Sequence, residues 1–150
     1  LMKGWIKWVF LVAGVLLLSG CGPRSTSGRG FQMPPGDADK GRQAFVALDC
    51  HTCHRVAGVD LPAPEKEGPV QVLLGGEVLR VRSYGDLVTA IIHPSEGLAS
   101  GYPKDVLAEG GQSRMPDYGD RMTVSQLIDL VTFLHGHYSR LEPEYAPYML

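Results

Sequence analysis

One stretch constrains this chain more than any other, the pentapeptide Cys50-His51-Thr52-Cys53-His54. Two cysteines three positions apart, with a histidine directly after the second, have the spacing for covalent attachment of a c-type haem. Each thiol can add across one vinyl group of the haem, and the adjacent histidine can supply an axial nitrogen to the iron. The pentapeptide therefore predicts one covalently bound haem c, attached through Cys50 and Cys53, with His54 as the proximal iron ligand.

Two other kinds of site also use a Cys-x-x-Cys pair. A thioredoxin-like redox pair lies between a strand and a helix of a βαβ unit, whereas the pair here follows a predicted helix and precedes a loop. A structural zinc site needs a second pair of ligands, and His135 and His137 are the candidates. Two histidines near a helix end can equally complement the helix dipole, so the position of the cysteine pair favours the haem site.

The first twenty residues have the pattern of an export signal. Two lysines precede an apolar run over residues 9–18, which is short for a membrane span of about twenty residues. The run ends in Leu18-Ser19-Gly20-Cys21, which resembles the lipobox of bacterial lipoproteins. That resemblance implies cleavage before Cys21 and lipidation of its sulfur, and an uncleaved N-terminal anchor is the alternative.

The chain divides into four predicted segments. Residues 1–20 form the lipoprotein signal peptide, residues 21–36 the lipidated cysteine and a flexible tether, residues 37–138 the folded domain, and residues 139–150 a tail rich in Pro and Tyr. Only three cysteines occur, whereas a disulfide framework would use an even number, so one lipidated thiol and one haem-binding pair account for all of them. We therefore expect an exported, membrane-anchored lipoprotein that faces the periplasm or lies on the outer face of the cytoplasmic membrane.

Helical periodicity dominates the predicted domain. Asp37 is a suitable N-cap for a first helix, and one face of that helix carries Gly41, Ala44, Phe45 and Leu48. A glycine inside a helix costs about 1 kcal/mol relative to alanine. Gly41 therefore indicates close approach of a second helix backbone.

Capping patterns mark two further helices. Ser83 and Asp86 resemble a capping box, and the helix they begin must end before Pro94, which cannot continue it. Thr123 and Gln126 form a second capping box at the start of a last helix with a wide apolar face.

A second axial ligand is needed for an electron carrier, and a methionine is the candidate. Met115 lies in a loop before the last helix, and Pro116 holds it extended rather than helical. A thioether ligand raises the reduction potential relative to a second histidine. Met122 and His93 are the alternative ligands, and Met115 could also be an ordinary core residue.

Taken together, these segments resemble class I (monohaem) cytochromes c, in the form of a bacterial lipoprotein-anchored member. The resemblance covers residues 37–138 and rests on a first helix ending in Cys-x-x-Cys-His, a mid-chain helix, a Met-Pro loop and an apolar last helix. It implies an all-α fold, a small cytochrome c-type helical domain around one covalent haem. It also implies that a proline carbonyl fixes the ring of His54, and Pro69 is the candidate for that carbonyl.

The same resemblance implies how the first and last helices meet. Gly41 and Phe45 are expected to pack against the last helix near Leu130, Phe133 and Leu134. One segment departs from the pattern, because β-branched runs on either side of a Gly-Gly pair predict a short β-hairpin at about 70–82. We therefore expect an all-α domain with this one β-hairpin as an insertion.

These features predict a membrane-tethered monohaem c-type cytochrome that carries single electrons between exported or membrane-bound redox partner proteins. It is not expected to be an enzyme, because two protein ligands would fill both axial positions of the iron. A net charge of −2 gives no basic footprint for nucleic acid. Two alternatives stay open, a cytochrome subunit of a larger membrane-associated oxidoreductase and a haem-based sensor with an open sixth position. Arg114 and Tyr118 flank Met115 as candidates for contact with haem propionates or as ordinary surface residues.

Overall fold

The structure, a computed structural model, describes residues 32–141. The predicted signal peptide, Cys21 with most of the tether, and the tail beyond residue 141 lie outside the described residues. From Met33 onward the described chain belongs to one compact unit. Within residues 32–141, no helix combines the length and the apolar character needed to cross a membrane.

The described residues form four α-helices, one 3-10 turn and six short strands. The helices are α1 (Ala38–Ala47), α2 (Tyr84–Ile92), α3 (Lys104–Leu107) and α4 (Val124–His135), and the 3-10 turn is Cys50–Thr52. The strands are β1 (His54–Val56), β2 (Val72–Leu74), β3 (Gly76–Val78), β4 (Ala108–Glu109), β5 (Gln112–Ser113) and β6 (Tyr138–Arg140).

The three predicted helix starts are confirmed. The Asp37 side chain accepts hydrogen bonds from the backbone of Asp39 and Lys40 at the start of α1. Reciprocal capping boxes begin α2 at Ser83 and α4 at Thr123. Each cap satisfies backbone N–H groups that have no partner inside the helix, which matters because helices of 10 and 9 residues are marginal alone.

Helices α1 and α4 cross at Gly41, as expected. A Cβ at position 41 would overlap the backbone of Asp129 and the Cβ of Phe133. The Phe45 and Phe133 rings meet edge to face with centroids 5.9 Å apart, a favoured aromatic geometry. The Asp37 amide also donates to the Asp129 carboxylate at 2.8 Å, which fixes the start of α1 on α4.

The core lies between α1, α2 and α4. Its buried apolar side chains are Ala44, Phe45, Val56, Val72, Leu87, Ile91, Leu107, Tyr118, Leu130, Val131, Phe133 and Leu134. Most of them are supplied by the amphipathic faces that the sequence pattern indicates, since apolar residues three and four positions apart share one face of a helix.

The predicted β-hairpin at 70–82 is wrong in its pairing. Strands β2 and β3 flank Gly75, but β2 pairs in parallel with β1 and β3 pairs in parallel with β6. The Gly76 amide donates to the carbonyl of His137 at 2.8 Å, so β3 is hydrogen-bonded to the segment that follows α4. A local turn pattern cannot reveal pairing between strands that are so far apart in the sequence. The described domain is therefore helical with three two-stranded sheets, where we expected all-α with one hairpin.

Both predicted boundaries of the domain shift outward. Met33 packs partly buried against the core, and a Cβ at Gly36 would overlap the Thr132 side chain, so residues 33–36 of the predicted tether belong to the domain. At the other end, β6 carries the ordered pairing to Arg140, inside the predicted tail. Composition predicts linker at both ends. In the structure, residues 33–36 pack on α4 and the core, and β6 pairs with β3.

Candidate functional site

A cavity of about 540 Å³ adjoins the core. Its lining includes Cys50, Cys53, His54 and Met115, together with apolar side chains such as Leu87. Protein cores seldom leave voids larger than a water molecule, whereas sites for small molecules and cofactors measure about 300–1,000 Å³. The cavity therefore has the size of a ligand site, and it is lined by the residues predicted to bind haem.

A tight turn after α1 brings the pentapeptide to the cavity. Asp49 adopts a left-handed backbone conformation with φ of 57°, which aspartate tolerates better than most residues. The Thr52 hydroxyl donates to the Asp49 carbonyl at 2.8 Å, and the Cys53 amide donates to the Cys50 carbonyl at 3.2 Å. This 3-10 turn places Cys50, Cys53 and His54 together in the cavity lining.

The loop that enters β2 braces this turn from outside. The amide of Gly68 and the side-chain nitrogen of Gln71 both donate to the carbonyl of Thr52, at 2.8 and 2.7 Å. The Val72 amide donates to the Cys53 carbonyl at 2.8 Å. Sequence reasoning missed Gln71 and this role of Gly68, because the loop is far from the motif along the chain.

His54 is partly buried, and its surroundings disfavour the charged imidazolium. Burial lowers its pKa below the ordinary value, and the backbone of Val72 opposes this. Its Nδ1 is buried without a hydrogen-bond partner among residues 32–141, and buried polar atoms ordinarily have one. A neutral imidazole is the form that ligates metals. A neutral His54 can offer its Nε2 to an iron, which leaves Nδ1 as the nitrogen for a hydrogen bond.

The hydrogen bond expected between His54 and the carbonyl of Pro69 is not formed. Pro69 lines the cavity, but the Nδ1 of His54 has no partner within the described residues. The register of β1 with β2 sets Val72 opposite His54. Val72, rather than Pro69, is therefore the residue of this segment that lies in register with His54.

The Cys50 thiol does not have the character of a redox nucleophile. Cys50 and Cys53 are free, with no disulfide between them. Burial raises the pKa of Cys50 to about 11, and the Asp49 carboxylate adds to this rise. Nucleophilic cysteines of thiol oxidoreductases instead have lowered pKa values. The buried thiol and the helix that precedes it disfavour a thioredoxin-like reading.

The histidines proposed for zinc make aromatic contacts. His135 meets the Tyr84 ring at 4.6 Å, and His137 meets Phe133 at 5.0 Å, both edge to face. Neither histidine lines the cavity that holds the cysteines. Among residues 32–141, no group of three His, Cys, Asp or Glu side chains is arranged to bind a metal ion.

The three candidates for the second axial ligand, Met115, Met122 and His93, differ in whether they line the main cavity with His54. Met115 lines the main cavity and also a smaller adjoining one of about 80 Å³, and Cys50 and His54 line both as well. Met122 lines only the smaller cavity. His93 lines neither and has a side chain 64% exposed, with its Nε2 3.4 Å from Glu96. Met115 is therefore the candidate that shares the larger cavity with His54.

Side-chain hydroxyls hold the Met115 loop. The Met115 amide donates to the Ser113 hydroxyl at 3.2 Å, and the Ser113 amide donates to the Ser95 hydroxyl at 3.0 Å. The Arg114 amide donates to the Leu107 carbonyl at 2.8 Å. A hydroxyl two residues before Met115 is a recognisable local pattern, but Ser95 has no signal in the sequence.

Several basic residues line the cavity together with the apolar ones. Its lining includes four cationic residues, Lys66, Arg82, Arg114 and Arg121, and two anionic ones, Asp49 and Glu67. Haem carries two propionate carboxylates, which pair well with guanidinium groups. Arg114 was a sequence candidate for this contact, whereas Arg82 and Arg121 reach the cavity only through the fold.

The donor set fits haem c. The cavity is lined by two free cysteines at the spacing for two thioethers, by a histidine whose burial disfavours the charged form, and by a methionine, together with apolar and basic side chains. Comparisons of the chain with known protein families, with curated proteins and with solved structures found no match. The assignment of the site therefore rests on its own residues.

Proposed function

We propose that this chain is a membrane-tethered monohaem c-type cytochrome that carries single electrons between exported or membrane-bound redox partners. The observation that carries the proposal is that Cys50, Cys53, His54 and Met115 line one cavity. The first three are neighbours in sequence, but Met115 reaches them only through the fold. A chance motif gives no reason for such a convergence.

The residues divide the work of holding the cofactor. Cys50 and Cys53 would hold the haem through two thioethers, since addition of each thiol would place its sulfur on one vinyl carbon and its hydrogen on the other, with no leaving group. His54 and Met115 would supply an imidazole nitrogen and a thioether sulfur to the iron. When bound, haem c supplies a one-electron ferric/ferrous couple. Arg82, Arg114 and Arg121 would pair its carboxylates.

Ligation by two side chains favours electron transfer over activation of a substrate. With His54 and Met115 both as ligands, the iron would offer no open place for dioxygen or peroxide. A cofactor packed against the largely apolar wall would lie in a low-dielectric environment, which strengthens electrostatic interactions there. The position of Met115 in the cavity supports the carrier over a sensor with an open sixth position.

Lipidation at Cys21 completes the proposal, although this residue lies outside the described part. The packed domain begins at Met33, so residues 22–32 would link it to the lipid anchor. A flexible linker of this length has a root-mean-square span of about 20 Å. A carrier on such a tether can meet partners at the membrane surface.

A redox titration followed by absorption spectroscopy tests this function. The exported protein, produced with a haem-attachment machinery, is expected to show one reversible one-electron couple. The ferric form should also carry the weak far-red charge-transfer band of methionine-ligated haem. Carbon monoxide should leave the ferrous spectrum of the carrier unchanged. Rapid binding of carbon monoxide by the native protein would contradict the carrier and favour the sensor.

A further inference from the structure

Tyr118 links two parts of the cavity wall that are far apart in sequence. It lies three residues after Met115, is only 6% exposed and lines both cavities. Its hydroxyl donates to the carbonyl of Leu48 at 3.1 Å. Leu48 is the C-cap residue of α1, immediately ahead of the turn that carries Cys50. The hydroxyl thus joins the methionine loop to the cysteine turn.

Attachment of haem would make this hydrogen bond more important. The Cys50 sulfur lies 3.9 Å from the same Leu48 carbonyl and acts as a weak donor to it. A cysteine that has become a thioether no longer carries the S–H hydrogen. The Leu48 carbonyl is partly buried at the end of α1. Among the described residues, Tyr118 would then be the remaining side-chain donor to it.

The loop around Tyr118 is built to hold the ring in place. The Arg121 guanidinium lies 5.3 Å from the centroid of the Tyr118 ring, within the range of a cation–π interaction. The Arg121 amide donates to the Tyr118 carbonyl at 3.0 Å, and the Gly119 amide donates to the Asp117 carboxylate at 2.8 Å. The Tyr118 ring is therefore held by its own loop as well as by the end of α1.

We propose that Tyr118 is a positioning residue whose hydroxyl ties the Met115 loop to the end of α1 and thereby limits how readily Met115 leaves the iron. This inference rests on the proposed function. Loss of a buried hydrogen bond that holds a loop shifts the opening equilibrium of that loop by about tenfold. Tyr118 acts through Met115 and does not itself ligate the iron.

Imidazole binding to the ferric holoprotein measures the release of Met115, because imidazole can bind iron only after methionine has left. Tyr118→Phe keeps the buried ring and removes the hydroxyl. We expect it to bind imidazole about tenfold more tightly than the native protein. Tyr102→Phe is the matched control, since its hydroxyl accepts from the distant Leu73 amide at 3.0 Å but lines neither cavity. The control should stay within a factor of about two of the native affinity.

The outcomes separate this inference from the proposed function. A native protein without methionine-ligated haem would overturn both. Native imidazole affinity in Tyr118→Phe, with the native protein showing methionine ligation, would overturn the positioning role alone. The same holds if Tyr118→Phe lowers the melting temperature but leaves the imidazole affinity unchanged, because the hydroxyl would then serve only the fold. Increased affinity confined to Tyr118→Phe supports the inference.

Discussion

Gly68 lies against the sulfur of Cys53 so closely that a Cβ at position 68 would overlap it. The loop that presents Gly68 is fixed, since the amide of this residue donates to the Thr52 carbonyl at 2.8 Å. If a side chain were added here, the loop could move away from the sulfur only by breaking that hydrogen bond. The sulfur that would form the second thioether is thus positioned by a residue outside the motif.

Gly68→Ala should therefore impair haem attachment at Cys53. The added methyl group displaces the sulfur, so we expect a large fraction of the protein to carry haem through Cys50 alone. Peptide mass spectrometry after proteolysis distinguishes one thioether from two. Gly85→Ala is the control, because a Cβ there meets only the Ser83 hydroxyl at 3.8 Å and Gly85 lines neither cavity, and it should attach haem fully. Complete double attachment in Gly68→Ala would refute this role.

Gly41→Ala should destabilise the protein although alanine is the better helix former. The propensity gain is about 1 kcal/mol, but the methyl group would overlap the backbone of Asp129, and overpacking costs about 1–3 kcal/mol or more. Gly85→Ala in α2 meets only the Ser83 hydroxyl at 3.8 Å and should be neutral or stabilising. Urea unfolding of both variants compares the costs. Equal stability of the two would contradict the crossing.

Much of the site could be predicted because its signals are local. The Cys-x-x-Cys-His motif, the Met115-Pro116 pair and the three helix caps depend on residues within a few positions of one another. The strand pairing could not be predicted, since β3 pairs with β6 across most of the domain. The contact of Gly68 with Cys53 and the arrival of Arg82 at the cavity also depend on the assembled fold.

Met115→Leu tests the axial ligand. Leucine fills a similar volume, so the cost in stability should stay below about 1.5 kcal/mol. We expect loss of the methionine-to-iron charge-transfer band and a lower reduction potential, because a thioether favours the reduced iron. Met122→Leu should keep both properties, since Met122 lines only the smaller cavity. A band that survives Met115→Leu and disappears in Met122→Leu would reverse the assignment.

The haem-free protein should lack a stable tertiary fold. Helices α1 and α2 have 10 and 9 residues, and such helices are marginal alone. The cavity of about 540 Å³ is lined with apolar side chains that would gain their packing from the cofactor. Cys50→Ala/Cys53→Ala, purified without haem, should show no cooperative thermal transition by circular dichroism. A cooperative melt near that of the holoprotein would contradict this expectation.

Covalent attachment at the pentapeptide is the central claim, and mass spectrometry under denaturing conditions tests it most directly. Denaturation releases haem held only by axial ligands or packing, but thioethers survive it. The native protein is expected to keep the added mass of one haem, located on the peptide that contains Cys50 and Cys53, and Cys50→Ala/Cys53→Ala should keep none. A native chain that carries no haem mass after denaturation, when produced with an active haem-attachment machinery, would contradict the account.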